Sequence, residues 1–370
     1  MALELADIFQ EFGAAYRQKH TRRILPSHRQ AMKAIERCRT EALGGQVYAC
    51  VACGEKRYSY HSCRNRHCPK CQHKQTEEWL VLQRKLLLPV PYFLLTFTLP
   101  AELRQIARQN QKVIYHLLFR TSAKATQSLA RDTRFIGGQI GLVGILHTWT
   151  RKLAFHPHVH YLAPGGGLAP DGHTWLPANK KFFLPVKALS RSFRAAFQHA
   201  LQKTELYSLI PSSIWYKEWV VNCKVVGDGQ AALKYLAPYI HRVAISNRRL
   251  LSLSAGSLES AQVTFSFRSA KTRKTKRSSL SVEKFIRSFL QHVLPRGFVK
   301  VRYYGFFGAR VRSRLILLQQ TMDTSPSPQP QDKLDGKPEE AEDEQGMICT
   351  ECGHSMTFQR TIHPLKCRSP

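Results

Sequence analysis

Leu5, Ile8, Phe9, Phe12 and Tyr16 recur at helical spacing and predict an amphipathic helix at the start of the chain, with Arg17, Lys19, Arg22 and Arg23 following it. After a polar, cysteine-rich stretch, a second helix is expected near Glu77–Leu88, ended by Pro89 and Pro91. From Tyr92 the texture changes. Tyr92–Leu99 reads as a buried strand, Ala101–Asp132 as a long helix, and Gln139–Trp149 with Phe155–Leu162 as paired strands. Lys180–Val186 is expected as a further strand and Leu189–Lys203 as a helix. Strand Trp219–Val226, helix Gln230–Val243 and strand Gln262–Phe267 follow, then helix Val282–Leu294 and strand Phe298–Tyr304. Strands and helices mixed in this way predict an α+β fold, with a largely antiparallel central sheet flanked by helices.

The stretch from Thr324 to Gly346 is rich in Pro, Ser, Gln and acid, which predicts a flexible linker. Seven acids and two lysines between 330 and 346 give it a local charge of −5. Four parts are therefore expected: a cysteine-rich module over 1–90, a main domain over 91–320, the acidic linker over 321–346 and a short Cys-containing tail over 347–370.

Charge changes the picture of partners. The chain of 370 residues carries 56 Lys and Arg against 25 Asp and Glu, a net +31, so a polyanion is the expected partner. DNA comes first and an acidic membrane second. The apolar stretches around Leu86–Leu99 and Ile136–Leu146 are broken by Pro or Gly and fall short of the ~20 residues of a spanning helix. Glu4 and Asp7 stand where a signal peptide would have its apolar core. The expectation is a soluble cytoplasmic protein associated with the nucleoid.

Ten cysteines cluster rather than spread, which points to metal rather than disulfides. Cys50-x-x-Cys53 and Cys68-x-x-Cys71, fourteen residues apart, predict a structural Zn²⁺ in a tetrahedral thiolate cage. Cys38, Cys63, His61, His67 and His73 are spare candidates for a substituted or second site. In the tail, Cys349 and Cys352 have Cys367 and either His354 or His363 as candidate co-ligands. Arg64, Arg66 and Lys70 lie among Tyr58, Tyr60 and His61, a mixture suited to phosphates and bases. The basic run Lys271–Arg277 predicts a phosphate-contacting loop.

The densest chemistry lies in Phe155-His156-Pro157-His158-Val159-His160-Tyr161. Alternation on a strand turns His158 and His160 to one face and Val159 to the core, and His147 on the preceding strand is a third metal-ligand candidate. No Asp or Glu occurs between Asp132 and Asp171, so the general base of a zinc hydrolase is lacking. Arg151 and Lys152 suit a phosphate, and Gly165-Gly166-Gly167 is either a close-approach loop or a simple turn. A nucleophile is offered by the predicted helix through Lys234-Tyr235-Leu236-Ala237-Pro238-Tyr239, whose two tyrosines sit one turn apart. Lys234, His241 and Arg242 add positive charge beside them.

These residues resemble the rolling-circle insertion-sequence transposases (insertion-sequence family ninety-one) of the HUH-endonuclease superfamily. The resemblance is carried by SCRNRHCPKC at 62–71, LHTW at 146–149, HPHVHYLAPGG at 156–166, YLAPYIHRVAISNRRL at 235–250 and HVLPRGFVKVRYYGF at 292–306. It implies an HUH-type sheet and a metal-dependent endonuclease acting on single-stranded or hairpin DNA ends and target DNA. It also implies Tyr235 or Tyr239 as nucleophile, a 5′-phosphotyrosine intermediate, and Mg²⁺ or Mn²⁺ held by His158, His160 and His147. No nucleotide cofactor is expected, and the chain has no G-x-x-x-x-G-K-[ST] loop. Pro238 between the tyrosines favours cleavage by one of them over alternation of both. The competing readings are a plasmid replication initiator or relaxase, and a zinc-dependent DNA-binding regulator without catalysis.

Overall fold

The structure is a computed structural model and describes residues 3–240, 244–269, 272–322 and 347–365, without the side chains of 72–76, 235–240 and 312. The described residues form two compact units, one combining 4–71 with 347–365 and one running from Gln72 to Met322.

In the first unit, helix α1 (Leu5–Lys19) buries Leu5, Ile8, Phe9, Phe12 and Tyr16. It packs against α2 (Pro26–Glu36), which buries Ala31, Met32 and Ile35 and begins on a proline, where the missing N–H costs nothing. Arg17 and Glu36 pair across the two helices. Strands β1 (Gly45–Cys50) and β2 (Lys56–Tyr60) form a hairpin around Cys50–Cys53. The tail strand Met356–Ile362 adds to the other edge of β1, antiparallel. Its apolar burial is modest: Val47 is buried in β1, and Cys50, Cys349 and Met356 form a buried cluster with Tyr48 and Met347 against them.

The second unit opens with α3 (Gln72–Arg84), β3 (Tyr92–Thr98), α4 (Arg104–Gln109) and α5 (Gln111–Ala130). Strands β4 (Leu142–Trp149) and β5 (Phe155–Pro164) follow, then the short pair β6 (Gly166–Leu168) and β7 (Trp175–Pro177), and α6 (Val186–Leu201). Next come β8 (Val221–Gly227), α7 (Gly229–Ile240) and a meander of β9 (Leu250–Leu253), β10 (Gln262–Arg268) and β11 (Thr275–Ser281). Helix α8 (Val282–Leu290), β12 (Val301–Tyr304) and α9 (Arg312–Met322) complete the unit. The central sheet has five strands in the order β12-β4-β5-β3-β8, every pair antiparallel.

Alternation divides this sheet into two different faces. Phe93, Leu95, Phe97, Val159 and Tyr161 point into the main core with Tyr115 and Phe119 of α5 and Phe193 and Phe197 of α6. Tyr161 is fixed there by hydrogen bonds with Ser122 Oγ (2.8 Å) and the Phe119 carbonyl (2.9 Å). On the opposite face, Leu94, Val143, Ile145 and Leu162 pack with Ala232 and Leu233 of α7 and with Leu315 and Leu318 of α9.

Several expected elements differ. The helix predicted over 101–132 divides at Asn110, whose φ of −124° and ψ of 46° are not helical. Lys180–Val186 is no strand: Phe183 and Leu184 anchor a loop in the core, and Pro185 starts α6. The basic run expected as a loop instead enters β11 at Thr275, with Arg273 at φ +54° in the turn before it. The tail, expected as a separate segment, supplies a strand to the N-terminal sheet because β1 leaves an edge open for it.

Candidate metal centres and DNA contacts

The structure corrects the predicted thiolate cage: Cys50 and Cys53 do not meet Cys68 and Cys71. Cys68 and Cys71 stand with Cys38 and Cys63, and Cys50 and Cys53 stand with Cys349 and Cys352. In both groups the sulfurs lie within 4.8 Å of one another. Cys38 leaves α2 toward the first group, where Cys71 Sγ is 3.5 Å from Cys38 Sγ and 3.6 Å from Cys63 Sγ. Hydrogen bonds from the Cys63 and Cys68 thiols hold Cys38 far below the ordinary thiol range. Spacing along the chain pairs the two nearest Cys-x-x-Cys motifs, whereas the fold pairs each of them with cysteines from elsewhere. Cys38 and Cys63 belong to no Cys-x-x-Cys pair, so spacing does not rank them above the other spare candidates.

The three histidines do converge. Strand register puts His147 directly opposite His158, and Ile145 opposite His160. One nitrogen of each imidazole of His147, His158 and His160 lies within 4.8 Å of the others. Val159 between them is fully buried on the far side of the sheet. A register shift between His147 and Trp149 bulges β4 beside the cluster, a device that re-aims side chains near sites. His158 Nδ1 is 2.6 Å from the His156 carbonyl, so that nitrogen carries the proton and Nε2 keeps its lone pair. His160 Nδ1 meets Thr96 Oγ1 at 2.9 Å. Burial pushes His158 down to about 4 and His160 to about 3, so both are neutral at pH 7, the form that ligates. His156 shares their parity but stays outside the cluster, its Nδ1 3.0 Å from Arg104 Nη2. The sequences of the five strands contain no Asp or Glu.

Helix α7 packs on the same face. Ala232 and Leu233 meet Val143, Ile145 and Leu162, which share the histidine side of the sheet by register. The helix is continuous from Gly229 to Ile240, through Pro238. Tyr235 and Tyr239 lie on its backbone, one turn apart, and their side chains fall outside the described residues, as do His241 and Arg242 entirely.

Among the basic candidates, Arg64 is exposed with φ +50°, Arg66 is partly buried, and Lys70 pairs with Glu4. Arg151 and Lys152 form the exposed tip of the β4–β5 hairpin. Arg151 Nη1 donates to the Arg268 carbonyl at 3.2 Å, and Lys152 Nζ sits 5.1 Å above the Phe267 ring. Lys234 is exposed on α7. The glycines 165–167 are buried, and a Cβ on Gly166 would stand 2.4 Å from the Trp175 ring, so packing explains that glycine.

One basic surface is formed only by the fold. A groove of about 930 Å³ runs along α5 and the edge strand β12 and includes Arg120, Lys124, Arg131, Arg302, Tyr303 and Tyr304. Arg120, Lys124 and Arg131 are spaced four and seven apart, the period of one helix face, and that signal was available in the sequence.

Behind the cluster, His292 is buried at 3% exposure, with Nδ1 3.2 Å from Thr148 Oγ1 and Nε2 3.1 Å from the Leu153 carbonyl. Burial pushes its imidazole down to about 4. In the unfolded chain it titrates near 6.5, so between these values the unfolded state binds more protons. Its contribution to stability is complete above about pH 6.5 and is lost as pH falls through 4, by about 3 kcal/mol. Denaturant titrations at pH 7 and pH 4.5 should show this acid slope, and His292→Asn should reduce it, with His158 and His160, which burial also depresses, contributing to the remainder.

Comparison with known proteins gives consistent results. A family model described as "Putative transposase" matches residues 141–314, and one described as "Transposase zinc-binding domain" matches residues 8–99. The chain is 42% identical over 331 residues to "Putative transposase y4qJ" of Sinorhizobium fredii (strain NBRC 101917 / NGR234), covering 84% of this chain and 82% of that protein. It is 27% identical over 290 residues to "Transposase for insertion sequence element IS801" of Pseudomonas savastanoi pv. phaseolicola, covering 74% of this chain and 68% of that one.

Proposed function

Since the chain belongs to the transposases of insertion-sequence family ninety-one, enzymes that cut and rejoin DNA, we propose that it acts by tyrosine nicking and rejoining of single-stranded DNA in rolling-circle transposition. One observation carries this reading: three imidazoles converge on the sheet face against which the tyrosine helix packs, and the sheet's strands lack a carboxylate. A site without a general base suits a nucleophile supplied by the protein itself.

In the proposed reaction, the phenolic oxygen of Tyr235 or Tyr239 attacks the scissile phosphorus and gives up its proton to solvent. The phosphorus–O3′ bond breaks, leaving a 5′-phosphotyrosine and a 3′-oxygen that takes up a proton. Rejoining is the reverse attack by a 3′-OH, so the bond is conserved and no nucleotide is consumed. His158, His160 and His147 would hold Mg²⁺ or Mn²⁺, which supplies Lewis-acid stabilisation of the phosphate charge. Three nitrogen donors suit manganese better than magnesium. A tyrosine hydroxyl titrates near ~10, so the cations Lys234 and Arg242 on and after α7 would help to stabilise its phenolate. Zinc in the N-terminal unit would be held by Cys38, Cys63, Cys68 and Cys71, which all lie within the matched zinc-binding segment.

Incubation with oligonucleotides carrying element ends and Mn²⁺ should yield a denaturation-resistant protein–DNA adduct. Its nucleotide should map to the peptide containing Tyr235 and Tyr239. Cleavage without an adduct, or an adduct on another residue, would overturn the assignment.

The groove along α5 fits the path of the strand, since its cations can follow a backbone and its tyrosines can stack on bases. Arg120→Ala/Lys124→Ala/Arg131→Ala should weaken binding and lower the slope of log K against log salt by about 2, at ~0.7 per lost phosphate contact. Fluorescence anisotropy between 50 and 300 mM salt, as rough limits, measures it; an unchanged slope would remove the groove from the path.

A further inference from the structure

The second cysteine group lies only half within the segment matched as zinc-binding: Cys50 and Cys53 fall inside 8–99, and Cys349 and Cys352 lie far beyond it. Its geometry is nevertheless that of two facing knuckles. Cys50-Val51-Ala52-Cys53-Gly54 and Cys349-Thr350-Glu351-Cys352-Gly353 have the same pattern, and Gly54 and Gly353 take nearly the same left-handed φ, +74° and +75°. The Gly54 N–H donates to the Cys50 carbonyl at 3.1 Å, and the Gly353 N–H to the Cys349 carbonyl at 3.0 Å. The Cys50 N–H donates to the Glu55 carbonyl at 2.9 Å, and the Cys349 N–H to the His354 carbonyl at 2.8 Å. In each knuckle the second sulfur receives a backbone N–H, from Glu55 at Cys53 and from His354 at Cys352.

Across the pair, Cys50 Sγ is 3.4 Å from Cys352 Sγ, Cys53 Sγ is 3.4 Å from Cys352 Sγ, and Cys53 Sγ is 3.7 Å from Cys349 Sγ. A disulfide needs ~2.05 Å. A tetrahedron of four thiolates at ~2.3 Å from zinc has edges of about 3.8 Å. A metal centre adds to a sheet with few apolar groups of its own: among the described residues of its three strands and the Cys349 turn, the buried side chains are Val47, Cys50, Cys349 and Met356.

We propose that Cys50, Cys53, Cys349 and Cys352 form a second structural zinc site, a zinc ribbon in which the C-terminal tail supplies half of the ligands. The metal clasps residues 296 positions apart and holds the tail strand Met356–Ile362 on β1. Binding a metal here is folding the sheet, as in other small metal-closed modules. This site is independent of the nicking chemistry.

The test is zinc content of the full chain by elemental mass spectrometry after gel filtration. The wild type should hold two zinc ions per chain, and Cys349→Ser/Cys352→Ser and Cys63→Ser/Cys71→Ser should each hold one. Retention of both ions by Cys349→Ser/Cys352→Ser would overturn the proposal. Thiol labelling of the wild type keeps the test open should the variants fail to fold. Cys349 and Cys352 should be protected from iodoacetamide until a chelator is added, and equal labelling with and without chelator would equally overturn it.

Discussion

Phenylalanine at both Tyr235 and Tyr239 should eliminate the covalent adduct and lower nicking by at least about 10³-fold, with oligonucleotide binding nearly unchanged. Removing two hydroxyls leaves the apolar area of α7 intact, so the helix keeps its seat on the sheet through Ala232 and Leu233. The loss is then one of chemistry, since water in the same site lacks the positioning of an attached phenol. The single variants separate two schemes. Pro238 lies between the tyrosines and removes one helical hydrogen bond, which sets their surroundings apart. Accordingly, one single substitution should reproduce the double loss while the other retains adduct formation. Partial, strand-specific losses in both would instead support alternation. An adduct that survives in the double variant would sink the nucleophile assignment altogether.

Much of the second unit was legible because its signals are local. Alternation in Phe155–Tyr161 gave the strand and assigned Val159 to the core, and pairing with the preceding strand set His147 across from His158. A hairpin joins those strands, so little sequence separates the partners. The metal-binding unit was less legible for the opposite reason. Cys50 and Cys53 are completed by residues from the far end of the chain, and no local spacing reports a partner 296 positions away. Likewise, β2 was invisible to periodicity because it is exposed along most of its length, and β1 buries only Gly45, Val47 and Cys50, of which Val47 alone is an aliphatic side chain. Lys180–Val186 misled because its apolar residues do reach the core, but as a loop held by Phe183 and Leu184. The cation stripe of Arg120, Lys124 and Arg131 is legible at helical spacing, but stronger basic runs elsewhere in a chain of net charge +31 mask it.

Alanine at His158 and His160 should lower Mn²⁺ affinity by at least about 100-fold and abolish nicking, whereas zinc content stays that of the wild type. The reason is geometric: the two substitutions leave one imidazole, His147, of the three that converge, and the sheet's strands contain no carboxylate to replace the others. Folding should tolerate the change, because the side chains face away from the main core, which Val159 and Tyr161 continue to fill from the other side. A milder variant tests the orientation of a ligand. Thr96→Val removes the hydroxyl 2.9 Å from His160 Nδ1 and should cost 10- to 100-fold in metal affinity, the range for groups that hold a ligating imidazole in place. Isothermal titration with Mn²⁺, beside zinc analysis of the same sample, reads both effects. If His158→Ala/His160→Ala kept Mn²⁺-dependent nicking, the histidine face would be structural and the tyrosines would act without it. If the same variant lost zinc instead, the imidazoles would serve the fold of the chain and not its reaction.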